Sequence, residues 1–309
     1  MLPLGKRNSS GLTAVCLYPG RIDVARIRNG SGRPKVELLA SFERGADEVT
    51  TLSAVRGAFA LDKNPCVTVL PQGGYQFFQT EAPDVAKADM KEAVRWKIKD
   101  MIDFPPDQAS LDVLEVPATG AQGRAKSIYV AACKNDVVAS LMRQFFDAKV
   151  DLQVIDIAEM AQRNIAALSE TEGRGLAFLA LDEAGGILTF TAQGELCMVR
   201  RVEVGSRQLE SADPSRLEQL LERIGLELQR SLDNFDRQFS AIPIQKLLIA
   251  PGAKSQSLQT FLADYLGMPV DVLSLADVLD ISAIPGLENP VRQAQCLTTI
   301  GAALRGSAA

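Results

Sequence analysis

Short apolar runs, broken by Gly and Pro turns, follow one another along this chain, and their order repeats. Residues 12–18 (LTAVCLY) read as a strand, Pro19-Gly20 turns the chain, and 21–27 (RIDVARI) is a second strand. A loop with Gly30, Gly32 and Pro34 leads to a third strand at 36–42, a short helix near 49–59 and a buried strand at 66–70 (CVTVL). The second half runs in the same order. Strand 175–181 (GLAFLAL) turns at Gly185-Gly186 into 187–191 (ILTFT), and Gln193-Gly194 turns into strand 195–202. A long helix at about 214–239, a buried strand at 246–250, a helix near 255–266 and a strand at 270–273 follow. Each half therefore reads β-β-β-α-β with a further helix and strand, an α/β layer pattern present twice.

The long helix carries Leu217, Leu220, Leu221, Ile224, Leu228, Leu232, Phe235 and Phe239 at three- and four-residue steps, which is a core-facing stripe. Asp213 suits its N-cap and Pro214 its first position.

Extra material at about 71–134 interrupts the first half. It holds strands at 75–80 (YQFFQT), 110–116 (SLDVLEV) and 127–133 (SIYVAAC), and a polar hairpin loop at 117–126. Its helix begins after Asp89, a candidate cap, and carries Met90, Val94, Ile98, Met101 and Ile102 on one stripe. Pro105-Pro106 forbid its continuation. That stripe is expected to cover the sheet of the inserted segment. Trp96, the only tryptophan, falls on the opposite side among Glu92, Lys99 and Asp103. It needs a second surface, and two are open: a seam with its own first half, which is the plainer reading, or a partner. Phe77 and Phe78 point to opposite faces of one strand, so one is expected in the core and the other at the surface.

The segment SETEGRG near 170 reads as a linker. The organisation expected is a first half at 1–170 with the insertion at about 71–134, and a second half at 171–309.

Composition narrows the chemistry. Hydrophobic residues make up 47% of the 309, so the chain folds into a globular protein. A net charge of −5 with scattered basic residues gives no field for nucleic acid. There is no histidine, which removes Ser-His-Asp and Cys-His catalysis and His-ligated zinc. Cys16, Cys66, Cys133, Cys197 and Cys296 are widely spaced without a CxxC and read as buried reduced thiols of a reducing compartment. The opening MLPLGKRNSSG has no apolar core of signal-peptide length, and no run approaches the ~20 apolar residues of a membrane span. The expectation is a cytoplasmic protein that meets the inner membrane only through partners.

A duplicated β-β-β-α-β unit with a small insertion in the first copy resembles the actin-like superfamily. LPQGGYQFFQTEAP followed by ADMKEAVRWKIKDMIDFPPDQASLDV resembles the insertion of the type IV pilus assembly family PilM. VDLQVIDIAEMAQRNIAAL at 150–168, LELQRSLDNFDRQFSAIPIQKLLIAPGA at 226–253 and LENPVRQAQCLTTIGAALR at 287–305 are similar to later elements of that family. The resemblance covers nearly the whole chain. The compact size and weak glycine motifs look most like the branch serving mannose-sensitive haemagglutinin pili, MshI. The cytoplasmic domain of type II secretion GspL proteins is a relative.

The resemblance implies an actin-like α/β fold built from two RNase H-like units, with ATP and Mg²⁺ as the ligands such a fold can hold. In the family, phosphates rest on two hairpin turns of glycines and small hydroxyls, and an aspartate in each helps hold the metal. Here Cys16, Leu17, Tyr18 and Pro19 match the first turn, so the aspartate is gone and a tyrosine replaces the glycine. Asp23 lies on the second strand and does not fit the missing position. In the second turn Ala180 stands where the aspartate belongs, and Asp182 comes two positions late. Gly185 and Gly186 remain as a phosphate turn or, more plainly, as an ordinary hairpin. On the adenosine side, Gly252 is kept between Pro251 and Ala253.

These losses argue against efficient hydrolysis. The expectation is a non-catalytic actin-like scaffold of a pilus assembly platform, with no catalytic or metal-ligating residues. Gly185, Gly186 and Gly252 contact nucleotide only if one binds. The partner implied is the cytoplasmic tail of a PilN-like bitopic inner-membrane protein, with other platform proteins nearby. The tail would dock in a groove between the first half and the insertion, with Trp96, Phe77 and Phe78 as anchors. An ATP-binding or weakly ATPase-active member of the same family is the alternative. A sugar kinase would need a cleft aspartate and intact phosphate turns, and neither is found.

Overall fold

The computed structural model describes residues 10–30, 32–117, 126–183, 185–252 and 254–305. The first nine residues of MLPLGKRNSSG and most of the hairpin loop at 117–126 lie outside the described residues. The chain starts with β1 (Ser10–Tyr18), β2 (Arg21–Arg28), β3 (Lys35–Glu43), α1 (Glu48–Phe59) and β4 (Cys66–Val69). β5 (Tyr75–Glu81), α2 (Met90–Lys97), β6 (Ala109–Glu115) and β7 (Ser127–Lys134) come next. α3 (Asn135–Asp147), β8 (Leu152–Asp156) and α4 (Ala158–Ala167) follow. The remainder is β9 (Gly175–Leu181), β10 (Gly186–Ala192), β11 (Glu195–Val202), α5 (Ser206–Ser211), α6 (Pro214–Gln238) and β12 (Ile244–Ile249), then α7 (Ser255–Leu266), β13 (Val270–Val272), α8 (Leu275–Val278) and α9 (Pro290–Ala303).

Two five-stranded sheets have the same layout, β3-β2-β1-β4-β8 and β11-β10-β9-β12-β13. In each, two antiparallel hairpins lead into parallel pairings, β1 with β4 and β9 with β12. β5, β7 and β6 form a separate antiparallel sheet in that order.

The outer face of each large sheet is sealed by its own helices. Leu52 and Val55 of α1 and Leu141 and Phe145 of α3 pack with Val15, Ile22 and Val24 of the first sheet. On the second sheet, Leu220, Leu221, Ile224, Leu228 and Phe235 of α6 are buried as their spacing predicts, together with Phe239. Phe190, Phe235 and Phe239 stack with ring centroids 4.9 Å apart at each step. Asp213 caps α6 by accepting the Arg216 N–H at 2.8 Å.

The inner faces are joined by two equivalent helices that change sides. α4 closes the first half in sequence but packs on β9, β10 and β11, while α9, from the end of the chain, packs on β1, β2 and β4. The two helices cross each other in a core drawn from both sheets, which includes Ala14, Ala25, Ile165, Phe178, Leu248 and Ile300. At the crossing, a Cβ on Gly301 would lie 2.2 Å from the Ala161 carbonyl oxygen. The Asn164 amide donates to the Gly301 carbonyl at 2.9 Å. Gln162, also on α4, donates to the Phe178 and Ile187 carbonyls at 2.7 and 3.0 Å. These polar helix residues are buried because each holds a backbone group of another element.

The inserted helix differs from its sequence expectation. The regular part ends at Lys97, and looser turns carry Ile98 to Met101. Val94, Ile98 and Ile102 are buried against Ile128, Val130 and Ala132, so the stripe does cover its sheet. Met101 is exposed, because beyond Ile98 the chain no longer advances by 100° per residue. Arg95 donates to the Pro106 and Ala109 carbonyls at 2.7 and 2.6 Å and draws the Phe-Pro-Pro segment back across the helix end. Asp89 has helical backbone angles and its side chain makes no capping bond.

The crossing makes a prediction. Gly301→Ala should lower the unfolding free energy by about 3 kcal/mol, since no backbone can yield there cheaply. Gly57→Ala on α1, where a Cβ meets open space, should instead raise it by about 0.5–1 kcal/mol. Urea unfolding of the two variants checks this, and equal effects would refute the packing argument.

Candidate functional site

The hairpin between β1 and β2 approaches α9 where a phosphate turn is expected, and its polar groups are already engaged there. The Tyr18 hydroxyl lies 3.1 Å from Thr299 Oγ1. Burial, and then neighbouring Cys16, push the Tyr18 phenol well above its ordinary value. The Arg21 guanidinium sits 4.5 Å over the Tyr18 ring, donates to the Gln295 carbonyl at 2.9 Å and pairs with Asp23 at 3.0 Å. Ser41 donates to the other Asp23 oxygen, and Arg292 of α9 donates to Ser41 at 2.8 Å. Asp23 pairs directly across the ladder from Cys16, so both side chains share one face. The carboxylate absent from β1 is thus present one strand away, fully buried and paired.

The turn between β9 and β10 is likewise engaged by its own chain. The Gly185 N–H donates to Asp182 Oδ1 at 3.0 Å, and Gln72 donates to the other Asp182 oxygen at 2.7 Å. A Cβ on Gly185 would stand 2.9 Å from the Val202 carbonyl, and one on Gly186 would stand 2.5 Å from the Leu181 side chain. Both glycines therefore answer to strand packing, and the Gly185 N–H is directed inward. Gly252 lines a cavity of about 430 Å³ with Leu181, Arg207, Pro251, Ser255 and Val291. Ala253 lies outside the described residues.

A magnesium nucleotide does not fit this first hairpin. Tyr18 occupies the turn, Pro19 has no N–H to offer, and a guanidinium already neutralises the nearest carboxylate. Among the described residues, no three Cys, Asp or Glu side chains are grouped as a metal-ligand set.

The three aromatic candidates of the insertion separate. Trp96 is 61% exposed, and its indole N–H donates to Glu92 one turn earlier at 3.0 Å. The expected seam with its own half is therefore not formed, because α2 turns only its Val94 face to the sheet. Phe77 and Phe78 are both half-buried, contrary to the expectation of one core and one surface ring. The reason is that the inserted sheet is covered on both sides. Phe78 packs beneath α2, and Phe77 stacks on Tyr129 at 4.9 Å against Leu196 and Val199 of the second half.

That second cover is a seam the sequence reading missed. The Tyr129 hydroxyl accepts the N–H of Val199 on edge strand β11 at 3.0 Å. Fully buried Glu159 of α4 accepts from Tyr75 of β5 and from Arg201 of β11. One signal was present: Glu159, Gln162 and Asn164 lie, with Arg163, among the apolar residues of one helix, and buried polar groups need partners. Asp23, inside the apolar strand RIDVARI with Arg21 two residues before it, carried the same signal.

All five cysteines are buried and free. Burial pushes Cys16, Cys66 and Cys197 up to about 12 and Cys296 to about 11. The native protein at pH 7 should therefore leave a thiol reagent unreacted, and the unfolded chain should consume five equivalents. The folded state holds these protons more tightly than the unfolded chain, so the thiols' contribution to stability should be constant below about pH 9 and fall above it. Urea unfolding across pH 7 to about 11 tests the sign.

No protein-family model matches the chain, and no curated protein sequence does. Among solved structures, a PilM–PilN type IV pilus biogenesis complex is similar over 96% of this chain and 99% of its own, at 18% identity with a TM-score of 0.73. A protein of Bacteroides thetaiotaomicron with an actin-like ATPase fold and unknown function covers 92% of this chain and 98% of its own, at 7% identity with a TM-score of 0.50. With two sheets of identical strand order and exchanged closing helices, the chain has the actin-like fold.

Proposed function

We propose that this protein is a non-catalytic actin-like scaffold of a type IV pilus assembly platform, of the kind that serves mannose-sensitive haemagglutinin pili. The observation that carries the reading is whole-length similarity to a PilM–PilN complex, combined with phosphate turns engaged by the chain itself. The similarity supports a PilN-like partner; that the contact is made by the tail of a membrane protein, with other platform proteins around it, is part of the proposal. In this reading the units are 1–170, with the insertion at about 71–134, and 171–309. Among the described residues no helix is long and apolar enough to cross a membrane. In this reading the scaffold lies in the cytoplasm and reaches the inner membrane through that tail. Trp96 is the anchor offered by the insertion, since its ring is exposed while Phe77 and Phe78 are only half-exposed and packed against their neighbours.

Calorimetry separates this from an ATP-binding family member. Mg-ATP should show no binding tighter than ~100 µM, a free energy of about −5.5 kcal/mol, and tighter binding would sink the nucleotide-free reading. A synthetic PilN-like tail should bind, and Trp96→Ala should weaken it by about 1–2 kcal/mol with the fold retained. As the single tryptophan, Trp96 also reports directly: its emission should shift to the blue as the tail covers it. Tail binding that leaves both the emission and the variant's affinity unchanged would place the groove elsewhere.

A further inference from the structure

The first hairpin carries its own cation. Asp23 is completely buried, and a carboxylate so placed needs an opposite charge and hydrogen bonds to both oxygens. It has them: Arg21 Nε at 3.0 Å on one oxygen and the Ser41 hydroxyl on the other. Arg21 is held in turn by the Tyr18 ring face at 4.5 Å and by the Gln295 carbonyl at 2.9 Å. Tyr18, Arg21 and Ser41 each reach α9, at Thr299, Gln295 and Arg292. The carboxylate faces the same side as Cys16, the position matched to the metal-holding aspartate of related turns. Where a magnesium nucleotide would join hairpin to cleft, a guanidinium–carboxylate pair joins hairpin to the C-terminal helix.

We propose that Arg21 is the resident cation of this hairpin, paired with Asp23, and that the pair latches β1 and β2 to α9 without any metal or nucleotide. The hairpin is then a fixed strut between the two ends of the chain. This goes beyond the scaffold reading and stands whether or not a pilus partner is found.

A double-mutant cycle on the full chain tests it, read by urea unfolding of the wild type, Arg21→Met, Asp23→Asn and the double variant. Arg21→Met strands a buried carboxylate and should lower the midpoint by about 1 M. Adding Asp23→Asn removes that charge, so the double variant should recover at least half of the loss. A double variant no more stable than Arg21→Met overturns the proposal. If Arg21→Met does not fold, the double variant decides: folded supports the pair, unfolded overturns it. The wild-type midpoint should not move when MgCl₂ and ATP are added together, and a rise that is abolished by Arg21→Met would also overturn it. The double-mutant cycle involves neither tail nor nucleotide, so its failure and failure of the scaffold reading are told apart.

Discussion

The backbone contact between α4 and α9 is the constraint on which the rest of the molecule depends. Each helix closes one half of the chain and packs on the sheet of the other, so the two sheets share one core. The crossing is tight enough to require glycine, with the Ala161 carbonyl where a Gly301 side chain would begin. Interiors this close-packed do not deform gradually. Gln162 and Asn164 add direction to that contact by tying α4 to the β9 and β10 carbonyls and to α9.

Two further ties lie on either side of the crossing. The first hairpin is held on α9 by Tyr18, Arg21 and the Ser41–Arg292 bond. The inserted sheet is held on β11 by Tyr129 and, through Glu159, by Tyr75 and Arg201. Both use buried polar groups whose partners come from distant parts of the chain. At the turn between β9 and β10 the Gly185 N–H is taken by the Asp182 carboxylate of the same turn. Trp96, on the helix α2, is exposed.

Much of this was legible before any coordinates. Local signals of one element are short-range, so β9, α6 and α7 fall where spacing and caps place them. The stripe Val94, Ile98 and Ile102 does cover the inserted sheet. The errors share one cause. Met101 left the stripe because Arg95 captured carbonyls from a later segment and the helix ended early. Phe77 was covered because a second half arrived over its face. Periodicity reports which way a side chain points, and only the assembled molecule supplies what stands opposite.

The sequence by itself determined the repeated order of elements, the three strands and helix between β4 and α3, and the buried thiols. Those properties depend on residues within a few positions of each other, where backbone geometry and burial act. Tertiary structure alone decided that Tyr18, Arg21 and Ser41 reach α9, and that Gly185 and Gly186 serve packing. It alone left Trp96 outside and carried Phe77 in. The burial of Phe77 and the ties of the first hairpin to α9 are pairings between segments remote in the chain, and burying a charge or ring depends on the partner that closes over it.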